Sequence, residues 1–492
     1  NESSYSQSLT CGMSASISIK QIAFGQEGIE LTLVPGSSKT HQWTLEATPT
    51  PGLTTYSVKC NLPSGVRLTF SASETRYSWN WAPGASYDTY LQGSSGSIAV
   101  RVTLPEKARF SSGAPILIHT NAFFTPSNGF DSWEDLKNQG IIHISLLYPG
   151  NQDKGGRSSV GLKDYGGSES LAALRDVIKY AGGEMTDIYG QSLAEASSVK
   201  PHENNLGIYA FSHPGILATR VMAIYGHEMP VVHWFVGREN PTSAALSSVE
   251  VGHWNSGSNA IQNVAYKYPD QYGSEILGID YSLVRWAHGW TENGSNPGRP
   301  YFDLDNNGEV SDKDYVLGSR IPNMFSKRIY SSELLEALEL NISDNQWPSE
   351  LATASAAEIL WEDRITTNIY DLLVTNSPDL HVMLVFAKND HVQPAPDKPH
   401  IHQAWDGFHN GGHGVWVRLN PDSAYVENVG GVSSVENPAR VEPVDWLDIE
   451  AWGYPNSARN SNLYPLAAVL EMVDRQFANI WMIDNLNEVV QP

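Results

Sequence analysis

The chain has 492 residues, a hydrophobic fraction of 41% and fifteen tryptophans. It is too long for one ordinary core and too apolar for disorder, so two or three packed domains are expected. The formal net charge is −23, with the acidic residues scattered. Such a surface repels nucleic acid and anionic lipid, and no apolar run is long enough to span a membrane as a helix.

The sequence starts at Asn1 without a methionine or signal peptide, which is expected of a mature, processed product. Only two cysteines occur, Cys11 and Cys60. A disulfide closing that loop would stabilise by roughly 4 kcal/mol in the chain-entropy model, and two buried free thiols are the alternative. Three glycosylation sequons, at Asn1, Asn293 and Asn341, are compatible with a secreted or cell-surface protein.

Residues 1–108 read as an all-β domain. Polar and apolar residues alternate in Ser14–Ile19, Ile29–Leu33 and Ser97–Val102, and the turn clusters Pro35–Ser38 and Pro51–Gly52 separate strands. A β-sandwich is the expected solution.

From Ala114 the pattern changes to buried strands alternating with helices, the signal for a mostly parallel α/β sheet. Strands are expected at Pro115–His119, Ile141–Leu147, Leu206–Phe211, Pro230–Val236, His381–Ala387 and Val415–Leu419. A helix capped by Ser168–Ser170 follows the second strand, and Leu466–Trp481 traces an amphipathic helix near the C-terminus. Residues 109–239 and 379–492 then form one core. Residues 240–378 are an insertion into it, with helices expected around Glu333–Leu338 and Ala356–Trp361.

Within the insertion lies Asp303-Leu304-Asp305-Asn306-Asn307-Gly308-Glu309-Val310-Ser311-Asp312-Lys313-Asp314. Acids at positions 1, 3 and 12, an amide at 5 and glycine at 6 match the EF-hand register, which curls oxygens around one calcium ion. Asp314 at position 12 and Val310 at position 8 resemble the dockerin version of the loop, present here in one copy. Calcium is expected on Asp303, Asp305, Asn307, the Glu309 carbonyl and Asp314, with Ser311 direct or through water. Its role is structural, stapling a cap without its own core.

The stretch Asn204–Gly226 contains an apolar strand, the tight turn Ser212-His213-Pro214-Gly215, and apolar residues at helical spacing up to Tyr225. A serine between a buried strand and a helix is the layout of the nucleophile elbow. With the two strands before it, residues 114–490 resemble the α/β-hydrolase family. The family places small residues two before and two after the serine. Ala210 satisfies the first position, while Pro214 occupies the second, with Gly215 next.

The resemblance implies Ser212 as nucleophile and the backbone N–H of His213 as one oxyanion donor. The second donor would come from Thr120-Asn121-Ala122-Phe123, at Asn121, where the family has paired glycines. It places the acid after the strand before last, at Asp390, with Glu239 as the alternative acid and an Asx-turn cap as the structural alternative for Asp390. The family's base follows the last strand, yet no histidine lies beyond His413. His409 and His413 precede that strand, at the opposite end of the sheet. His391, beside the acid, is the substitute base.

Two functions follow. One is a secreted serine hydrolase of the esterase or peptidase kind, with a small-molecule or peptide substrate. The other is a catalytically degenerate hydrolase fold that acts as an extracellular structural or binding component toward a protein partner. Either is compatible with an oligomer.

Overall fold

The structure is a computed structural model. It describes the backbone of strands between residues 5 and 76, and most of 80–120 and 129–238. It also describes Asn240, parts of 252–316, Glu362, residues 364–386, and segments within 404–419 and 463–481. Among these, no helix is long and apolar enough to cross a membrane.

The chain divides into two compact units. The first comprises Asn1–Trp81 with Ile188–Ser198. Its strands are β1 (Tyr5–Gly12), β2 (Ile17–Lys20), β3 (Glu30–Leu33), β4 (Ser38–Leu45), β5 (Gly52–Asn61) and β6 (Arg67–Arg76). They pair antiparallel, β1 with β4 and the rest in the order β3-β2-β5-β6. Cys11 lies on β1 opposite Lys39, and Cys60 lies on β5 opposite Ile19 and Leu68. Their side chains, like the three sequons, fall outside the described residues. The backbone N–H of Trp81 donates to Ala196 O at 2.8 Å, tying in the segment that the unit borrows from later in the chain.

The second unit is built on β7 (Ser86–Gly93), β8 (Gly96–Thr103), β9 (Ala114–Thr120), β10 (Ile142–Leu146), β11 (Pro201–Phe211), β12 (Trp234–Arg238), β20 (His381–Phe386) and β21 (Gly414–Leu419). Their order is β7-β8-β10-β9-β11-β12-β20-β21, and only β8 runs antiparallel to its neighbours. Ser97–Val102 belongs to the central sheet, and the division falls at Trp81/Ala82. Strand β7 alternates buried with exposed or half-exposed residues because it lies at the sheet's edge, so it imitates a sandwich strand.

Five described helices belong to this unit or border it: α1 (Glu134–Asn138), α2 (Ser168–Ala181), α4 (Pro214–Tyr225), α5 (Tyr370–Asn376) and α6 (Leu463–Ala478). The one-turn helix α3 (Leu193–Ala196) belongs to the first unit. Successive residues of a strand face opposite sides of the sheet. On β12, the Trp234 indole donates to Asn205 Oδ1, and the Asn205 amide donates to Val473 O in α6, both at 2.8 Å. The next residue, Phe235, faces Phe408, which meets the Tyr370 ring of α5 edge-on. Helix α5 packs on α4, where Asn376 and Ser377 donate to the carbonyls of Ala223 and Met222.

The N-terminus of α2 is capped by Asp164, whose carboxylate accepts the backbone N–H groups of Glu169 and Ser170. The expected cap residue, Ser168, is instead the first residue of the helix.

Residues 364–377 pack on the core although they lie in the expected insertion. The rest of the described insertion includes short strands. These are β13 (Gly252–Trp254) with β14 (Ala260–Gln262), β15 (Tyr266–Lys267) with β16 (Gly278–Ile279), and the antiparallel trio β17 (Val284–Ala287), β18 (Arg299–Phe302) and β19 (Tyr315–Val316). The helices expected at 333–338 and 356–361 lie outside the described residues.

Candidate active site and acidic loop

Strand β11 is buried from Asn205 to Ala210 and sits between β9 and β12 near the middle of the sheet. It ends in Ser212, whose φ of 61° lies in the left-handed region that a non-glycine residue rarely adopts. The turn is closed from both sides. Ser212 N–H donates to Arg238 O at the end of β12 at 2.8 Å, and Gly215 N–H donates to Ser212 O at 2.9 Å. Helix α4 starts at Pro214, where proline loses no hydrogen bond, because a first-turn N–H has no partner within the helix. Ser212 is half-buried, at the carboxyl end of its strand, which is where open α/β sheets present their ligand sites.

His213 points its ring into the protein. It is only 5% exposed, and burial, with Arg364 nearby, holds its pKa well below the usual histidine value. The imidazole is therefore neutral and buried. Arg364 also donates to the carbonyl of Asp164 at 2.6 Å, joining the approach to α5 to the start of α2.

A second polar group lies on three adjacent strands. Register places Ser145 of β10, His119 of β9 and Tyr209 of β11 side by side. His119 Nδ1 is 3.2 Å from His143 Nε2, and its Nε2 is 3.7 Å from the Asp131 carboxylate. The rings of Tyr209 and Trp133 close over His119 at 5.0 and 5.9 Å between centroids. Burial lowers the His119 pKa to about 4. Burial and the neighbouring His119 also hold the His143 pKa well below the usual histidine value, so both rings are neutral at pH 7. Sequence reasoning gave these histidines no role. The available signal was a histidine inside each of two apolar strand runs, a pattern that reads as core.

In the acidic loop Asp303–Asp314, Asn306 and Gly308 take left-handed φ values of 54° and 78°. These bends turn the chain around Asp303, whose two carboxylate oxygens accept the N–H groups of Asn307 and Gly308, both at 3.0 Å. Asp314 reaches back across the loop to accept from Leu304 at 2.8 Å and from Ser311 at 2.7 Å. Burial raises the Asp314 pKa, but these backbone donors outweigh it and the net shift is downward. One carboxylate oxygen from each of Asp303, Asp305 and Asp314 lies within 4.8 Å of the others. The Asn307 side chain accepts from Glu309 N–H at 2.6 Å, and the Ser311 hydroxyl approaches Asp305 at 3.4 Å.

Ser212, His213 and the acidic-loop residues Asp303, Asp305, Asn307, Glu309, Ser311 and Asp314 thus stand in described structure. Asn121, Glu239, Asp390, His391, His409 and His413 lie outside the described residues.

A mostly parallel sheet with one antiparallel strand, helices beside it and a serine on the strand–helix turn at its centre make this unit an α/β fold. No protein-family model matches the chain, and no curated protein matches it. Similar solved structures include a hyperthermophilic esterase from the archaeon Pyrobaculum calidifontis, at 11% identity and a TM-score of 0.29 over 68% of this chain and 73% of that one. An acylaminoacyl peptidase of Pyrococcus horikoshii gives 7% identity and 0.34 over 80% and 49%. A bacterial heroin esterase gives 8% identity and 0.34 over 79% and 84%. Identity this low assigns no activity to the present chain.

Proposed function

We propose that this protein is a secreted serine hydrolase that cleaves an ester or peptide bond through an acyl-enzyme. The observation that supports it most is the φ of 61° at Ser212. A left-handed serine costs about 1–3 kcal/mol and persists only where surrounding structure enforces it, as at a nucleophile elbow.

In this reading the Ser212 hydroxyl attacks the substrate carbonyl and passes its proton to His391, which Asp390 orients. The N–H groups of His213 and Asn121 receive the developing oxyanion. His391 returns the proton to the leaving group, and water then releases the acid by the same steps in reverse.

Calcium completes the proposal. Three carboxylates within 4.8 Å of one another repel unless a cation lies between them. Asp303, Asp305, Asn307, Asp314 and the Glu309 carbonyl are the ligands, and Ser311 takes part directly or through water. Oxygen donors of this kind select a hard cation, whose role here is to brace the insertion. Calcium-rich surroundings and the two cysteines favour an extracellular location.

One observation favours a second reading. No histidine follows β21, where the family keeps its base. A degenerate hydrolase fold that binds a protein partner would have this sequence. Fluorophosphonate labelling separates the two: covalent modification of Ser212, abolished by Ser212→Ala, belongs to the enzyme alone.

A further inference from the structure

The sequence left one feature of the elbow unexplained: Gly215 follows Pro214, a place later than the family pattern puts its small residue. In the structure Gly215 has an ordinary helical conformation, so a left-handed φ is not the reason for glycine. The reason is Asn240. A Cβ on Gly215 would fall inside the Asn240 amide, and a Cβ on Gly237 of β12 would strike the same amide from the strand side. Two glycines therefore form a socket for one flat side chain.

Asn240 is 4% exposed, and neither its amide N–H nor its oxygen has a hydrogen-bond partner. A buried amide with both groups unsatisfied is costly, and a core needing only volume would use an apolar residue. The segment around it also holds the turn. Arg238 O accepts Ser212 N–H at 2.8 Å, and the Arg238 guanidinium lies 4.5 Å from the Phe211 ring centre. Gly215, whose N–H closes the turn onto Ser212 O, is the residue that Asn240 covers. Residues 238 and 240 thus grip the entrance and the exit of one strained turn.

We propose that Asn240 is a positioning residue for Ser212: seated between Gly215 and Gly237, it fixes where α4 begins and keeps the serine in its left-handed conformation. The claim concerns the turn. Its consequence for reactivity rests on the hydrolase reading above.

The test uses the full chain and four proteins: wild type, Asn240→Ala, Gly215→Ala and the double variant. A crystal structure of each gives the Ser212 φ, and a fluorophosphonate alkyne gives the labelling rate at saturation. Asn240→Ala is expected to release Ser212 from positive φ and to slow labelling at least tenfold, with little change in half-saturating probe concentration. Gly215→Ala should be severe with Asn240 present and mild without it, because the first change clears the space the methyl needs. An unchanged Ser212 φ in Asn240→Ala, or an equal effect of Gly215→Ala in both backgrounds, would overturn the proposal. Should wild type take no label, the hydrolase reading fails and the crystallographic φ still decides the role of Asn240.

Discussion

His119 and His143 face each other inside the central sheet, Nδ1 to Nε2 at 3.2 Å, and burial keeps both rings neutral. A neutral pair shares one hydrogen bond. Protonating either ring places a charge in a largely desolvated site.

Acid sensitivity follows from that pair. The His119 pKa falls from the ordinary 6.5 to about 4 in the folded protein, so the unfolded chain binds more protons between those values. Stability is then present above pH 6.5 and is lost as pH falls toward 4, by about 3 kcal/mol from His119 alone. Asp131, 3.7 Å from His119 Nε2, offsets part of this when ionised, although burial raises its own pKa. Urea unfolding at pH 7 and pH 4.5 should show a smaller difference for the double variant His119→Asn/His143→Leu than for wild type. Equal differences would place the acid sensitivity elsewhere.

Calcium should raise the melting temperature, and a chelator should lower it. At a concentration one hundred times the dissociation constant, a ligand that binds only the folded state contributes about 2.7 kcal/mol. Asp303→Ala should abolish the response, because the Asp303 carboxylate is a proposed ligand and also holds the N–H groups of Asn307 and Gly308. A melting curve unchanged by excess chelator would exclude a structural ion.

Helix α6 is fixed to the core by a buried ion pair. Arg109 donates to both oxygens of Asp474 at 2.6 Å, and the two side chains are 7% and 3% exposed. Removing one partner leaves an uncompensated charge, so Asp474→Asn should cost about 3–5 kcal/mol in denaturant unfolding. Arg109→Met/Asp474→Leu should recover most of that loss, since the pair itself contributes little beyond its desolvation cost. A double variant as unstable as Asp474→Asn would mean the pair is needed for packing.

Arg220 of α4 holds the segment leading into α5. Its guanidinium donates to the carbonyls of Glu362 at 2.9 Å and Ile365 at 2.7 Å. Arg220→Leu leaves both acceptors short of a charged donor, and hydrogen bonds of this kind contribute about 1.5–3 kcal/mol each. A loss of about 3 kcal/mol in the same unfolding assay is expected. A loss under 1 kcal/mol would show the segment to be held by other contacts.

The core strands were legible because a parallel sheet covered on both faces needs nearly continuous apolar runs, as in Ile116–Ile118 and Leu206–Ala210. The elbow was legible because proline and glycine punctuate the junction between strand and helix. The edge of the sheet was not. β7 and β8 alternate as sandwich strands do, and only pairing with β10 shows which sheet owns them. Asn240 was also invisible, since its meaning lies in two glycines from different elements. The same holds for Asp164, which caps α2 from four residues ahead of its first turn. Contacts of this kind are set by tertiary packing and leave no periodic trace in a sequence.

The central claim is that Ser212 is an activated nucleophile, and active-site labelling tests it most directly. Wild-type protein incubated with a fluorophosphonate probe should gain one adduct, mapped to Ser212 by mass spectrometry of its tryptic peptide. Ser212→Ala should gain none, and Asp390→Ala or His391→Ala should slow the reaction at least a hundredfold. Folded wild-type protein that takes no adduct at Ser212 would contradict the account and leave a hydrolase fold used for binding.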